Sequence, residues 1–143
     1  MHLLIHLFFL NSIDIRQLAL SEQISLDALE HIFNGCTYNG KSSGFHVLGM
    51  PNAKGRIVVG SERLINAKHA IWEANVTING ILKGAKSSFF PISMNPEQII
   101  NAIKEAYACK LHEFKDFYTG ITKTGMRIGM YLDKKGKKKP LSL

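Results

Sequence analysis

Cysteine is nearly absent: Cys36 and Cys109 are the only two in 143 residues. Two cysteines cannot build a disulfide framework, and neither has zinc-knuckle spacing, so free thiols are the expectation and no redox compartment follows. Acidic residues are also scarce. Eleven Asp and Glu stand against 18 Lys and Arg, a formal net charge of +7. That balance leaves little to attract a cationic partner and favours an acidic one, such as nucleic acid or a membrane surface. No apolar run is long enough to span a bilayer, which takes ~20 residues. The apolar opening "MHLLIHLFFL" is too short, and it lacks the charged leader and small-residue cleavage site of a signal peptide. Residues 1–20 read either as a segment packed on the domain or as a non-native one. Internal repeats and long linkers are missing too, so residues 1–143 read as a single domain.

Hydrophobic residues make up 45% and charged residues 20%, which is enough apolar material for a real core. From Ser12 to Phe33 the apolar spacing is helical, with Ser21 and Ser25 as candidate N-caps and "NG" at 34–35 as the stop. His31 then lies in the last helical turn. "CTYNGKSSG" reads as loop, "FHVLGM" as a short strand, "PNAKG" as a turn, "RIVVG" as a strand and "HAIWEANVTI" as a longer one. "NG" at 79–80 predicts a hairpin whose return strand is "ILKGAKSSFF". The clearest helix is "NPEQIINAIKEAYAC". Asn95 caps it, Pro96 sits in its first turn, and Ile99, Ile100, Ile103 and Tyr107 form its buried stripe. The end of the chain, "FYTGITKTGMRIGMYLDKKGK", reads as short strands joined by glycine-containing turns. Helices, strands, one further helix and more strands predict an α+β fold with antiparallel sheet. "KKGKKK" at 134–139 reads both as a solvated tail and as a source of phosphate affinity.

The chemistry rests first on two histidines in similar glycine-flanked settings, His31 in "LEHIFNG" and His46 in "SGFHVLG". Each alone is most simply a packed or surface residue. His31, Cys36 and His46 could supply three zinc ligands, although no fourth is evident. As a pair, the histidines suit acid–base work, because imidazole titrates near neutrality. RNA transphosphorylation needs such a pair: one imidazole takes the ribose 2′-hydroxyl proton, the other protonates the leaving 5′-oxygen. A lysine near the phosphoryl oxygens would stabilise the developing charge, and no metal or other cofactor is required.

"EHIFNG…GKSSGFHVLG", followed by "KGAKSSFFP" before an amphipathic helix, resembles the EndoU family of endoribonucleases over residues 29–136. The likeness is to its bacterial toxin branch, whose domains end contact-dependent inhibition and other polymorphic toxins. The resemblance implies an EndoU, RNase A-like fold and a catalytic set of His31, His46 and a lysine. Lys83 is favoured as that lysine, because it lies four residues before Ser87 and would share its strand face; Lys86 is the alternative. Ser87, Lys86 and Ser88 are the implied substrate-binding residues. The implied activity is cleavage of single-stranded RNA, with a tRNA loop as one candidate target, leaving 2′,3′-cyclic phosphate ends. A cognate immunity protein, a monomeric state, and delivery to act in the cytoplasm of a target cell follow from the same resemblance. One departure stands out. The family's Thr/Ser-x-Tyr in the last strand falls on "KKPLSL", 138–143, which has no tyrosine. Tyr131, Thr122 and Thr124 lie upstream as substitutes, and a catalytically degenerate RNA-binding domain of the same fold is the rival reading.

Overall fold

The computed structural model describes residues 26–51, 53–132 and 138–140. The opening apolar stretch, Ser21, Ser25 and Ser142 lie outside them. Among the described residues the chain is α+β, mostly antiparallel sheet with two helices. Helix α1, Leu26–Phe33, leads to a hairpin of β1, Cys36–Tyr38, and β2, Lys41–Ser43. Strands β3 (Gly55–Ile57), β4 (Arg63–Asn66), β5 (Ile71–Ala74), β6 (Val76–Ile78), β7 (Ile81–Leu82) and β8 (Ser87–Phe89) follow. Helix α2, Pro96–Ala108, precedes β9 (Leu111–Phe114), β10 (Phe117–Ile121), β11 (Arg127–Leu132) and β12 (Lys138–Pro140). The sheets beyond the first hairpin run β12-β11-β10-β9, β3-β6-β7 and β4-β5-β8.

Helix α2 starts as its sequence requires. The Asn95 side chain accepts from the Gln98 N–H, the Gln98 side chain accepts from the Asn95 N–H, and Pro96 occupies the first turn, where a missing N–H costs nothing. Its buried face, Ile99, Ile100 and Ile103, packs with Leu29, Ile32 and Phe33 of α1 and with Ile128 and Met130 of β11. Tyr107 is only partly buried at the edge of this core. Burial of each isoleucine contributes about 2 kcal/mol. A second core gathers Phe45, Ala74, Val76, Ile78 and Phe89. Phe45 meets Phe89 edge-on at 5.2 Å, and Phe89 stacks on Trp72 at 4.2 Å.

Several elements differ from the sequence reading. "HAIWEANVTI" is two strands in different sheets. The ladder breaks at Asn75, whose N–H donates to the Ser61 hydroxyl and whose carbonyl accepts from the Val58 N–H. The return strand divides in the same way into β7 and β8. "CTYNGKSSG" is a hairpin rather than a loop; Asn39 and Gly40, at φ 51° and 73°, form the left-handed turn. "FHVLGM" forms no regular strand, because Phe45 has a positive φ of 69°. The predicted turn at 79–80 is present, with φ 53° and 80° between paired Ile78 and Ile81.

Candidate active site

The end of α1 and the segment 44–46 are bonded backbone to backbone. The Phe45 N–H donates to the His31 carbonyl at 2.8 Å, and the His46 N–H donates to the Ile32 carbonyl at 2.7 Å. Gly35 ends the helix at φ 79°. Gly44 makes the close approach possible. It sits at φ 80°, and a Cβ there would collide with the His31 carbonyl oxygen. Phe45 points into the second core and Val47 into the first. His46 is thereby held at the seam between the two cores, and the imidazole rings of His31 and His46 stand 6.1 Å apart, tilted by 46°.

Each ring is held by its Nδ1. His46 Nδ1 lies 2.7 Å from the Ser88 carbonyl oxygen. A carbonyl only accepts, so this nitrogen carries the proton and Nε2 of the neutral ring holds a lone pair. His31 Nδ1 lies 3.5 Å from Cys36 Sγ. The Nε2 atoms of both rings are buried and have no hydrogen-bond partner among the described residues.

Lys83 is the charged neighbour of both rings. Its Nζ donates to the Gly44 carbonyl and to the Ser87 hydroxyl, both at 3.2 Å. The Ser87 hydroxyl is fully buried and lies 2.6 Å from the Phe45 carbonyl, its closest acceptor. Two of the three ammonium donors are therefore used, both on neutral partners. Lys83 and Ser87 do meet, but not along one strand: the segment between β7 and β8 turns, and the contact closes across it. Lys86 is exposed and instead pairs with Glu73 at 3.6 Å. Ser88 is buried and gives its carbonyl to His46.

Electrostatics follow from this packing. Desolvation, and then the charge of Lys83, lower the pKa of His31 from 6.5 to about 4. The same two causes, in the same order, lower His46 to about 3. Burial also lowers the Lys83 pKa, while the neighbouring Cys36 raises it. The zinc alternative fails on geometry: among the described residues, no group of three or more His, Cys, Asp or Glu is arranged to hold a metal ion. Thr122 and Thr124 bond to each other at 3.0 Å in the turn before β11, and Tyr131 packs on Phe117 at 4.9 Å. The contacts of Cys36 and Ser43 at this site had no signal in spacing, because a hairpin brings them in.

Two imidazoles with unpartnered nitrogens and an ammonium between neutral partners make a donor set suited to phosphodiester chemistry, the work of a nuclease. The family model described as "Bacterial EndoU nuclease" matches residues 25–139. A protein of Bacillus cereus named "Toxin" is 36% identical over 121 residues, covering 82% of this chain and 22% of its own length. The chain thus spans about a fifth of that relative. No solved structure matches. The chain belongs to the bacterial EndoU nuclease family.

Proposed function

We propose that the chain is the nuclease domain of a toxin and cleaves single-stranded RNA by transphosphorylation at His31, His46 and Lys83. The observation that carries this reading is the pair of unpartnered Nε2 atoms on rings 6.1 Å apart, with the Lys83 ammonium beside them. His46 suits the base. Its Nδ1–H is committed to the Ser88 carbonyl, which leaves the Nε2 lone pair to take the 2′-hydroxyl proton. The 2′-oxygen attacks the adjacent phosphorus, and the 5′-oxygen leaves with a proton from His31. The products are a 2′,3′-cyclic phosphate and a 5′-hydroxyl. The third N–H of Lys83 stabilises the charge that builds on the phosphoryl oxygens. In the free site both rings are neutral at pH 7, and an arriving phosphate raises the pKa of the acid. Ser87, fully buried, acts by holding Lys83; Ser88 acts through the carbonyl that orients His46.

The name of the Bacillus cereus relative supports the toxin reading, and with it a cognate immunity protein, acidic enough to cover a basic surface, and action inside a target cell. The lysines at 134–139 add salt-sensitive affinity for RNA. Residues 1–143 act as one monomeric domain, and a tRNA loop is one candidate target.

The test is cleavage of total tRNA and of a short single-stranded oligoribonucleotide in EDTA by the wild type, His31→Ala, His46→Ala and Lys83→Met. Cyclic-phosphate ends, with activity lost by a factor of roughly 10² or more in each histidine variant, are expected. Salt-sensitive binding without cleavage, even with divalent metal restored, would favour the RNA-binding reading instead.

A further inference from the structure

The two histidines are held by unlike partners. His46 faces a carbonyl, which can only accept. His31 faces a thiol, and that thiol is itself engaged: Cys36 Sγ lies 3.3 Å from the Ser43 hydroxyl. The arrangement is built by the β1–β2 hairpin, which pairs Cys36 directly with Ser43. The turn at Asn39–Gly40 fixes that register, and Gly35 aims the hairpin back along the end of α1.

We infer that Cys36 is a positioning residue for His31, which with Ser43 holds its neutral ring in the tautomer that carries the proton on Nε2, opposite to the tautomer of His46. The reasoning is one of donor and acceptor strength. Sulfur is a weak acceptor, whereas an imidazole nitrogen is a good one. The single thiol hydrogen, a weak donor in either direction, therefore goes to the better of its two acceptors, Nδ1 rather than the Ser43 hydroxyl oxygen, and the Ser43 hydroxyl donates to sulfur. Nδ1 then has no hydrogen of its own, and the ring proton sits on Nε2. One ring then carries an N–H at its buried Nε2 and the other a lone pair. When His31 gains a second proton, the thiol turns, and Sγ accepts from the new Nδ1–H. A carbonyl could not serve both forms, because it cannot donate. This inference rests on the acid–base reading above, with His31 as the acid.

The experiment reads the tautomer directly, by long-range ¹⁵N–¹H correlation of the imidazole nitrogens at pH 7, and reads turnover alongside. The chains compared are the wild type, Cys36→Ala, Cys36→Ser, Ser43→Ala and the control Cys109→Ala, whose thiol bonds to the Ile121 carbonyl away from the site. In the wild type, His31 should show the Nε2–H pattern and His46 the Nδ1–H pattern. Cys36→Ala should turn His31 into a mixture of tautomers, leave His46 unchanged, and lower kcat about tenfold with KM little altered. Cys36→Ser, which keeps a donor and acceptor at that position, should recover the Nε2–H tautomer and much of kcat, and Cys109→Ala should match the wild type. An Nδ1–H pattern on His31 in the wild type, or wild-type nitrogen shifts in Cys36→Ala, would overturn the inference. Loss of the acid–base reading would appear separately, as cleavage that survives His31→Ala.

Discussion

Gly44→Ala is the smallest change that should dismantle the site. Gly44 is at φ 80°, and an added methyl would meet the backbone carbonyl oxygen of His31, which cannot rotate away as a side-chain end could. Holding alanine in a left-handed conformation costs about 1 kcal/mol. Relieving the collision requires segment 44–46 to withdraw from α1 by on the order of 1 Å. That stretches two bonds, Phe45 N–H to the His31 carbonyl and His46 N–H to the Ile32 carbonyl, which contribute about 1 kcal/mol each. The total is ~3 kcal/mol, read as a lower urea midpoint with the slope unchanged. Because the same shift moves His46 against His31, kcat should fall by a factor of ~10². Gly40→Ala is the matched control. It has φ 73° but open space around its Cβ, so it should lose only about 1 kcal/mol and keep its turnover. Equal stability loss in the two variants, or Gly44→Ala with wild-type kcat, would refute the claim that this contact sets the histidine spacing.

Other outcomes follow from the same packing. Ser87→Ala should cost about 1–3 kcal/mol, because the Phe45 carbonyl and Lys83 lose a buried partner, and should lower kcat more than it raises KM; urea titration and steady-state kinetics check both. Both histidines have folded-state pKa values below 6.5, about 4 for His31 and about 3 for His46. The unfolded chain therefore binds more protons than the folded one. Stability from the neutral rings is present above pH 6.5 and declines as the pH falls toward 4 for His31 and toward 3 for His46, by about 2 kcal/mol per ring between pH 7 and pH 5. Denaturation at the two pH values should show the loss, and His46→Gln should remove its share. Ile103→Ala should cost about 2–5 kcal/mol by leaving a cavity between α2 and α1, measurable as a drop in Tm without change in the pH dependence.

What the sequence disclosed was local. The Asn95 cap with Pro96 after it and the 79–80 turn are written in adjacent residues, and both stand where the pattern put them. The Asn39–Gly40 hairpin carried the same Asn-Gly cue, but its short strands, "CTY" and "KSS", lack the apolar alternation that marks a sheet, so composition pointed to loop. The division of "HAIWEANVTI" was not legible, because no Gly or Pro interrupts it; Asn75 breaks the ladder by bonding to Ser61, a partner fourteen positions away. Helical spacing placed His31 at the end of α1, yet the meeting of His31 with His46 depends on backbone bonds across segment 44–46. Lys83 and Ser87 were paired by their spacing, although the turn between β7 and β8 brings them together. The Cys36 and Ser43 contacts arise from hairpin register alone.

The most direct test of the cleavage mechanism compares an oligoribonucleotide cut at a mapped position with a twin carrying a single 2′-deoxyribose at that position, both in EDTA. Transphosphorylation by the His31–His46 pair predicts that the twin is left intact at that position while the parent yields a 2′,3′-cyclic phosphate. Cleavage of the twin at an undiminished rate would mean that the 2′-hydroxyl is not the nucleophile, and would contradict the roles proposed for both histidines.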